Sequence, residues 1–113
     1  MTAATRLGGT LMFTLFSTAV AGLAQAQDAG ATVYATQKCS LCHSLGGRGN
    51  AKGPLDEVGS KLSGDDIRKW IVAPAEMSAK SSSTRKPAMR AYPNLPKVEL
   101  DALVTYMVAQ KKK

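Results

Sequence analysis

The residues Cys39-Ser40-Leu41-Cys42-His43 (CSLCH) decide how the rest of this sequence folds. They contain both cysteines and the only histidine of the 113-residue chain. A disulfide-rich secreted domain has more cysteines, and a structural zinc site takes four ligands, so neither class fits. A thioredoxin-like cysteine pair belongs with alternating strands and helices. No stretch of this chain has the long alternating pattern of a sheet strand.

The C-x-x-C-H spacing is the attachment signature of c-type haem. Two thiols three positions apart can each form a thioether with one of the two neighbouring vinyl groups of the haem. The next residue is then held beneath the iron as an axial imidazole. We therefore predict one covalently bound haem c, with Cys39 and Cys42 as its tethers and His43 as its first iron ligand.

The composition is that of one small basic domain. The chain has 15 Lys and Arg against 8 Asp and Glu, a net charge of +7, and 44% apolar residues. These values exclude an acidic disordered tail and a membrane bundle, and the length allows a single core. Aromatic residues are scarce, with two Phe, three Tyr and one Trp. A domain this small often needs a cofactor to complete its core.

The N-terminal sequence has the pattern of an export signal. An uncharged stretch at 11–23 follows a single upstream arginine and ends in a small-x-small cleavage pattern. This stretch is shorter than the roughly 20 residues that cross a bilayer as a helix. We predict that residues 1–26 are a signal peptide cleaved after Ala26, and that residues 27–113 form a periplasmic domain without a transmembrane segment. The alternative is an uncleaved N-terminal anchor.

The apolar pattern of the remaining chain is helical. Helices are expected at 29–38, leading into the cysteines, and after Ser63, which opens a capping box and precedes an apolar face that ends at Pro74. A last helix with a continuous apolar stripe begins near Pro96. The Ser-, Lys- and Pro-rich stretch between these prolines has no period and is expected to be a loop. The predicted fold is all-α, with three to five short helices around the haem.

With these features the chain resembles the small class I cytochromes c of bacteria. The resemblance covers nearly all of residues 27–113: a helix ending in CSLCH, a GNAKGPL loop, a middle helix with a tryptophan, a methionine-bearing segment and a closing helix. It implies the cytochrome c fold, in which the first and last helices cross. The matching residues for that contact are Gly30 and Tyr34 on the first helix and Leu103 and Tyr106 on the last.

The resemblance also implies roles around the haem. Gly53-Pro54 matches the position whose backbone carbonyl accepts the second N–H of the ligand histidine, so Pro54 is counted with the haem-binding residues. Trp70 would either donate its indole N–H to a haem propionate or pack in the core, and Tyr92 could donate in the same way. One departure is that Tyr34 precedes the first cysteine by five positions where many members have four, which predicts an extra residue or bulge near Gln37.

With no second histidine, the other axial ligand would be a methionine. Met107 lies on the apolar stripe of the last helix, which is typical of a core residue. Met77 follows the middle helix closely. The resemblance places the thioether in the segment that carries Met89, so His43 and Met89 are the expected iron ligands. Met77, or an iron without a protein ligand at this position, remains the alternative.

Two filled axial positions favour electron transfer over ligand binding at the iron. We therefore expect an exported monohaem electron carrier, not itself an enzyme, between periplasmic or membrane-bound redox partners. Four cations surround the methionine segment: Lys80, Arg85, Lys86 and Arg90. They would steer a partner with an acidic docking surface, or serve only solubility. Nucleic acid is not an expected partner. The alternatives are a haem subunit of a periplasmic oxidoreductase complex and a five-coordinate sensor or peroxidase-like protein.

Overall fold

The computed structural model describes residues 18–113, and these residues form a helical domain with one short hairpin. The helices, in chain order, are α1 (Thr18–Thr36), α2 (Val58–Lys61), α3 (Gly64–Val72), α4 (Pro74–Ser81) and α5 (Lys97–Val108). A 3₁₀ turn at Cys39–Leu41 follows α1, and strands β1 (Ser44–Leu45) and β2 (Arg48–Gly49) pair antiparallel. The all-α prediction is confirmed. Within residues 18–113, none of the helices combines the length and the apolar character that crossing a bilayer requires.

Helix α1 is longer than the sequence predicted. It begins at Thr18 and runs through Ala26, where cleavage was expected, before ending at Thr36. Most of the predicted signal peptide falls on residues 1–17, which lie outside the described residues, and its cleavage stays a prediction. After α1 the chain turns through Lys38, which has a left-handed backbone with φ 56°. This turn lies where the extra residue near Gln37 was predicted.

Helix α4 occupies the start of the segment that was predicted to be a loop, and that prediction is wrong for these residues. Pro74 lies in the first turn of α4, where its missing N–H would have had no partner in any case. An ion pair one turn apart, Lys80 Nζ to Glu76 Oε1 at 2.9 Å, supports the helix. Because α4 lacks an apolar stripe, hydrophobic periodicity does not reveal it. The loop proper begins at Ser82, whose φ of 53° ends the helix.

Helix α3 is capped as the sequence predicted. The Ser63 hydroxyl accepts a hydrogen bond from the backbone N–H of Asp66 at 3.1 Å. This bond satisfies one of the free donors of the first turn. Ile67 and Ile71 are buried, and they pack in the same core cluster as the buried residues of α5. The two helices therefore meet through the apolar face that the sequence indicated.

The centre of the domain is the crossing of α1 and α5. Gly30 lies directly against the carbonyl of Ala102 and the Cβ of Tyr106. Tyr34 and Tyr106 meet edge to face, with ring centroids 6.1 Å apart. The buried apolar side chains of the domain are Val33, Ile67, Ile71, Leu103, Val104 and Met107. The predicted contact between the first and last helices is therefore present, and it depends on the small size of Gly30.

Replacing Gly30 with alanine is expected to destabilise the domain by about 1–3 kcal/mol, because the added methyl group would overlap the backbone of α5. The overlap outweighs the gain of about 1 kcal/mol in helix propensity. Gly64→Ala is the matched control, since a Cβ there meets nothing closer than 3.5 Å. Urea unfolding of both variants measures the difference. A Gly30→Ala domain as stable as the Gly64→Ala domain would contradict the close contact.

The residues after α5 fold back onto α2. The carbonyl of Gln110 accepts a hydrogen bond from the N–H of Gly59 at 2.7 Å. The Lys111 ammonium donates to the Gly59 carbonyl at 3.2 Å, and the N–H of Lys112 donates to the Ser60 hydroxyl at 2.8 Å. The C-terminal tail (residues 109–113) therefore holds α2 in place.

Candidate haem site

The CSLCH residues form a tight turn directly after α1. The backbone N–H groups of Cys42 and His43 both donate to the carbonyl of Cys39, at 3.1 and 2.9 Å. Both cysteines are half-buried and carry free thiols. The turn places both cysteines and His43 along one recess just after α1.

The imidazole of His43 is oriented by the glycine-rich loop that follows it. Its Nδ1 lies 3.0 Å from the carbonyl oxygen of Gly53. A carbonyl oxygen can only accept, so Nδ1 carries the proton and Nε2 is the nitrogen left free for a metal. Burial lowers the pKa of His43; the hydrogen bond to Gly53 opposes this, and the nearby Arg85 charge adds to it. The imidazole is therefore neutral at pH 7, which is its metal-binding form.

Within the Gly53-Pro54 pair that the resemblance indicated, the carbonyl that accepts from the histidine belongs to Gly53. Pro54 is exposed, and it lies in a short backbone pairing with Ser44. In that pairing the N–H of Ser44 donates to Gly53 at 3.1 Å, and the N–H of Leu55 donates to Ser44 at 2.9 Å. Pro54 thus helps to fix the position of the Gly53 carbonyl without itself contacting the imidazole.

Asn50 is a site residue that the sequence analysis missed. Its backbone N–H lies within hydrogen-bond distance of the carbonyls of Ser40 and His43, at 3.1 and 2.9 Å. Its side-chain amide donates to the carbonyl of Leu41 at 3.2 Å. Hydrogen bonds from Asn50 therefore fix three carbonyl groups of the CSLCH turn. The only signal in the sequence is an asparagine inside a glycine-rich loop, which is too common to single out.

An apolar cavity lies beside this turn. It measures about 540 Å³, counting its open mouth, and it lies between α1, α3, α5 and the long loop. Its lining includes Cys39, His43, Trp70 and Met89 of the predicted site residues, with Leu55 and Ile71 among the apolar walls. Cys42 lines a smaller neighbouring recess that shares Cys39, His43 and Met89 with the cavity. The structure therefore brings together all the predicted haem-binding residues except Pro54.

The three candidate methionines lie in different places. Met89 lines the cavity together with His43. Met107 also lines it and is 5% exposed, which agrees with the core role predicted for it. Met77 lies half-buried on α4 and is not part of this cavity lining. This arrangement favours Met89 as the methionine that a haem in the cavity would meet.

Tyr92 holds the chain just beyond Met89. Its backbone N–H donates to the carbonyl of Ile71 at 2.9 Å, and its hydroxyl donates to the carbonyl of Gln37 at 3.3 Å. The hydroxyl was predicted as a second donor to a haem propionate, but in this structure its partner is the carbonyl of Gln37, the residue that follows α1. Trp70, the other predicted donor, is half-buried in the cavity wall.

The cavity is apolar enough to shift the protonation of the groups around it. Burial is the main cause that raises the pKa of the Cys39 thiol to about 11 and that of Tyr34 to about 12. The Tyr34 hydroxyl is buried and has no hydrogen-bond partner within residues 18–113. An apolar space with the Cys39 thiol and a free imidazole nitrogen at its edge, and the Cys42 thiol in the adjoining recess, fits a flat, largely apolar macrocycle held by thioether bonds.

The fold and the site together define a small helical domain for covalent haem attachment. The family model for Cytochrome c matches residues 27–111, and the chain belongs to the cytochrome c family. Proteins of this family bind haem c covalently, transfer electrons to and from redox protein partners, and typically act outside the cytoplasm. Neither the search of curated proteins nor that of solved structures gives a match.

Proposed function

We propose that this cytochrome c carries single electrons through one haem c, with His43 and Met89 as the axial ligands. The observation that carries the proposal is that both side chains line the same apolar cavity. The haem, when bound, supplies a one-electron Fe(III)/Fe(II) couple, and a thioether ligand favours the reduced state. The Gly53 carbonyl orients His43, and the apolar walls exclude water.

If His43 and Met89 both bind the iron, they would leave no position for a substrate, and the protein would act as an electron carrier and not as an enzyme. The proposed location is the periplasm, after removal of residues 1–26. N-terminal sequencing of the exported protein would then begin at Gln27. A mature protein that retains residues 1–26 would instead be an anchored form.

Two cations at the recess beside the cysteines support the proposal that the redox partner has an acidic docking surface. Lys38 and Arg90 both line this recess. The Arg90 guanidinium lies 5.9 Å from the centre of the Tyr92 ring, which holds its charge near the opening. Leu41, between the two cysteines, is 70% exposed. An apolar contact beside fixed positive charges is suited to brief, salt-sensitive association.

Reversing both recess charges, in the double variant Lys38→Glu with Arg90→Glu, is expected to slow electron transfer to an acidic blue-copper protein about tenfold or more at low salt. The dependence of the rate on ionic strength should flatten as well. The matched control is Lys112→Glu with Lys113→Glu, which makes the same change of net charge on the tail. Stopped-flow kinetics over a range of salt concentrations measures both. Equal slowing in the two double variants would mean that net charge alone matters.

Two measurements on the purified haem protein test the electron-carrier function itself. A pyridine haemochrome assay should give one haem per chain, and the reduced protein should not bind carbon monoxide. Rapid binding of carbon monoxide would instead indicate an iron with an open coordination position, and therefore a sensor or a peroxidase-like protein. Co-purification with a larger oxidoreductase would assign the chain as a subunit of that complex.

A further inference from the structure

The Arg85 side chain reaches from the loop that carries Met89 to the CSLCH turn. Its guanidinium donates to the carbonyl of Cys42, 43 residues earlier in the chain. The same guanidinium packs against Gly53. A Cβ added to Gly53 would overlap the Arg85 guanidinium and the Cys42 carbonyl. Cys42 directly precedes His43, and Gly53 accepts the hydrogen bond from the His43 ring. Arg85 therefore contacts the chain on both sides of the iron-binding histidine.

Arg85 and Tyr92 hold the two ends of the segment that contains Met89. Tyr92 is fixed to Ile71 and Gln37 by its backbone and its hydroxyl. Met89 is four residues from Arg85, a distance of about 14 Å at full extension. The loop residues 82–88 are all exposed, so the contact made by Arg85 is what ties this loop to the CSLCH turn. Fixing Arg85 therefore limits how far the Met89 thioether can move and lowers the entropy cost of keeping it at the cavity.

The Arg85 contact also has an electrostatic consequence. A guanidinium carries its charge at every relevant pH, and its planar group can donate to a carbonyl while covering a neighbouring residue. Held beside His43, this charge disfavours the additional positive charge of an oxidised iron. The neighbouring Lys86 is exposed on the same loop and makes no hydrogen bond or ion pair within residues 18–113. Both residues are exposed and carry the same charge, and they differ in that only Arg85 donates to the CSLCH turn.

We propose that Arg85 is a positioning residue of the haem site: it ties the Met89 loop to the CSLCH turn and raises the reduction potential. The inference rests on the proposed His43 and Met89 ligation. It gives a specific role to a residue that the sequence marked only as one of several surface cations.

The test compares Arg85→Gln, Arg85→Lys and the control Lys86→Gln in full-length haem-loaded protein. Two properties are measured: the reduction potential, and the urea concentration at which the oxidised protein loses its deep-red thioether-to-iron absorption. Circular dichroism in the same titration follows global unfolding of the helices. Comparing the two transitions separates loss of the Met89 ligand from loss of the fold.

Arg85→Gln is expected to shift the reduction equilibrium about threefold to tenfold toward the oxidised state, where tenfold is about 59 mV for one electron. It should also lose the deep-red absorption at lower urea than the helices unfold. Arg85→Lys should keep most of the potential but lose the absorption early, because lysine retains the charge without the planar contact. Lys86→Gln should change neither property.

Arg85→Gln values equal to those of Lys86→Gln, with the absorption present in the wild type, would overturn the role of Arg85 alone. Absence of the absorption from the wild type would overturn the ligation proposal, and this inference with it. The two failures are therefore distinguishable.

Discussion

Met89→Ala protein is expected to lose the deep-red absorption of the oxidised state and to bind carbon monoxide when reduced. Its reduction potential should fall by on the order of 100 mV, well inside the roughly 0.8 V that axial ligands span. The reason is that a soft thioether stabilises the reduced iron, and alanine leaves that position to water or to nothing. Visible spectroscopy and potentiometry on the purified protein measure the change.

Met77→Ala is the matched control for this prediction. Met77 lies half-buried on α4, and its loss should leave the spectrum and the potential unchanged. The opposite pattern, in which only Met77→Ala removes the absorption, would show that the axial ligand had been assigned to the wrong methionine.

Replacing both Cys39 and Cys42 with alanine is expected to remove covalent haem completely and about half of the stability of the domain. Acidified organic solvent should then extract all of the pigment, and thermal unfolding should lose its cooperativity. A lasting cavity costs about 24 cal/mol per Å³, so the enclosed part of this space, about 110 Å³, would cost about 2.6 kcal/mol. The whole stability of a small domain starts at about 5 kcal/mol. Haem staining of denaturing gels and circular dichroism measure both effects.

Ser40→Ala is the control, because it changes the same turn without removing a thiol. It should retain covalent haem and a cooperative transition. If the doubly substituted protein unfolds like the wild type, the haem contributes little to the core and the cavity closes without it.

The sequence predicted the parts of the fold and site that depend on neighbours along the chain. The CSLCH spacing, the Ser63 cap and the apolar stripe of α5 are local patterns, and the structure contains the cap and the buried stripe. The contact of Gly30 with α5 is not local. It was predicted through family resemblance, because no periodicity in α1 shows which residue of another helix it meets.

The features that the sequence did not reveal depend on contacts between distant segments or on patterns without an apolar stripe. Arg85 meets a carbonyl 43 residues away, and nothing in its own neighbourhood distinguishes it from Lys86. Which carbonyl of Gly53-Pro54 accepts the hydrogen bond from His43 depends on the direction of the Gly53 carbonyl, and the sequence does not specify that direction. Helix α4 is stabilised by a proline at its start and a surface ion pair, which hydrophobic periodicity does not detect.

The contact between residues 110–112 and α2 bears on how haem reaches the cavity. Helix α2 and its neighbour Leu62 carry one wall of the cavity, and that wall is held by residues that follow α5. Before residues 110–112 dock on Gly59 and Ser60, this wall is free to move away from Cys39, which also lines the cavity. An enzyme that joins haem to the two thiols would then meet an open pocket, and docking of residues 110–112 would close it around the macrocycle.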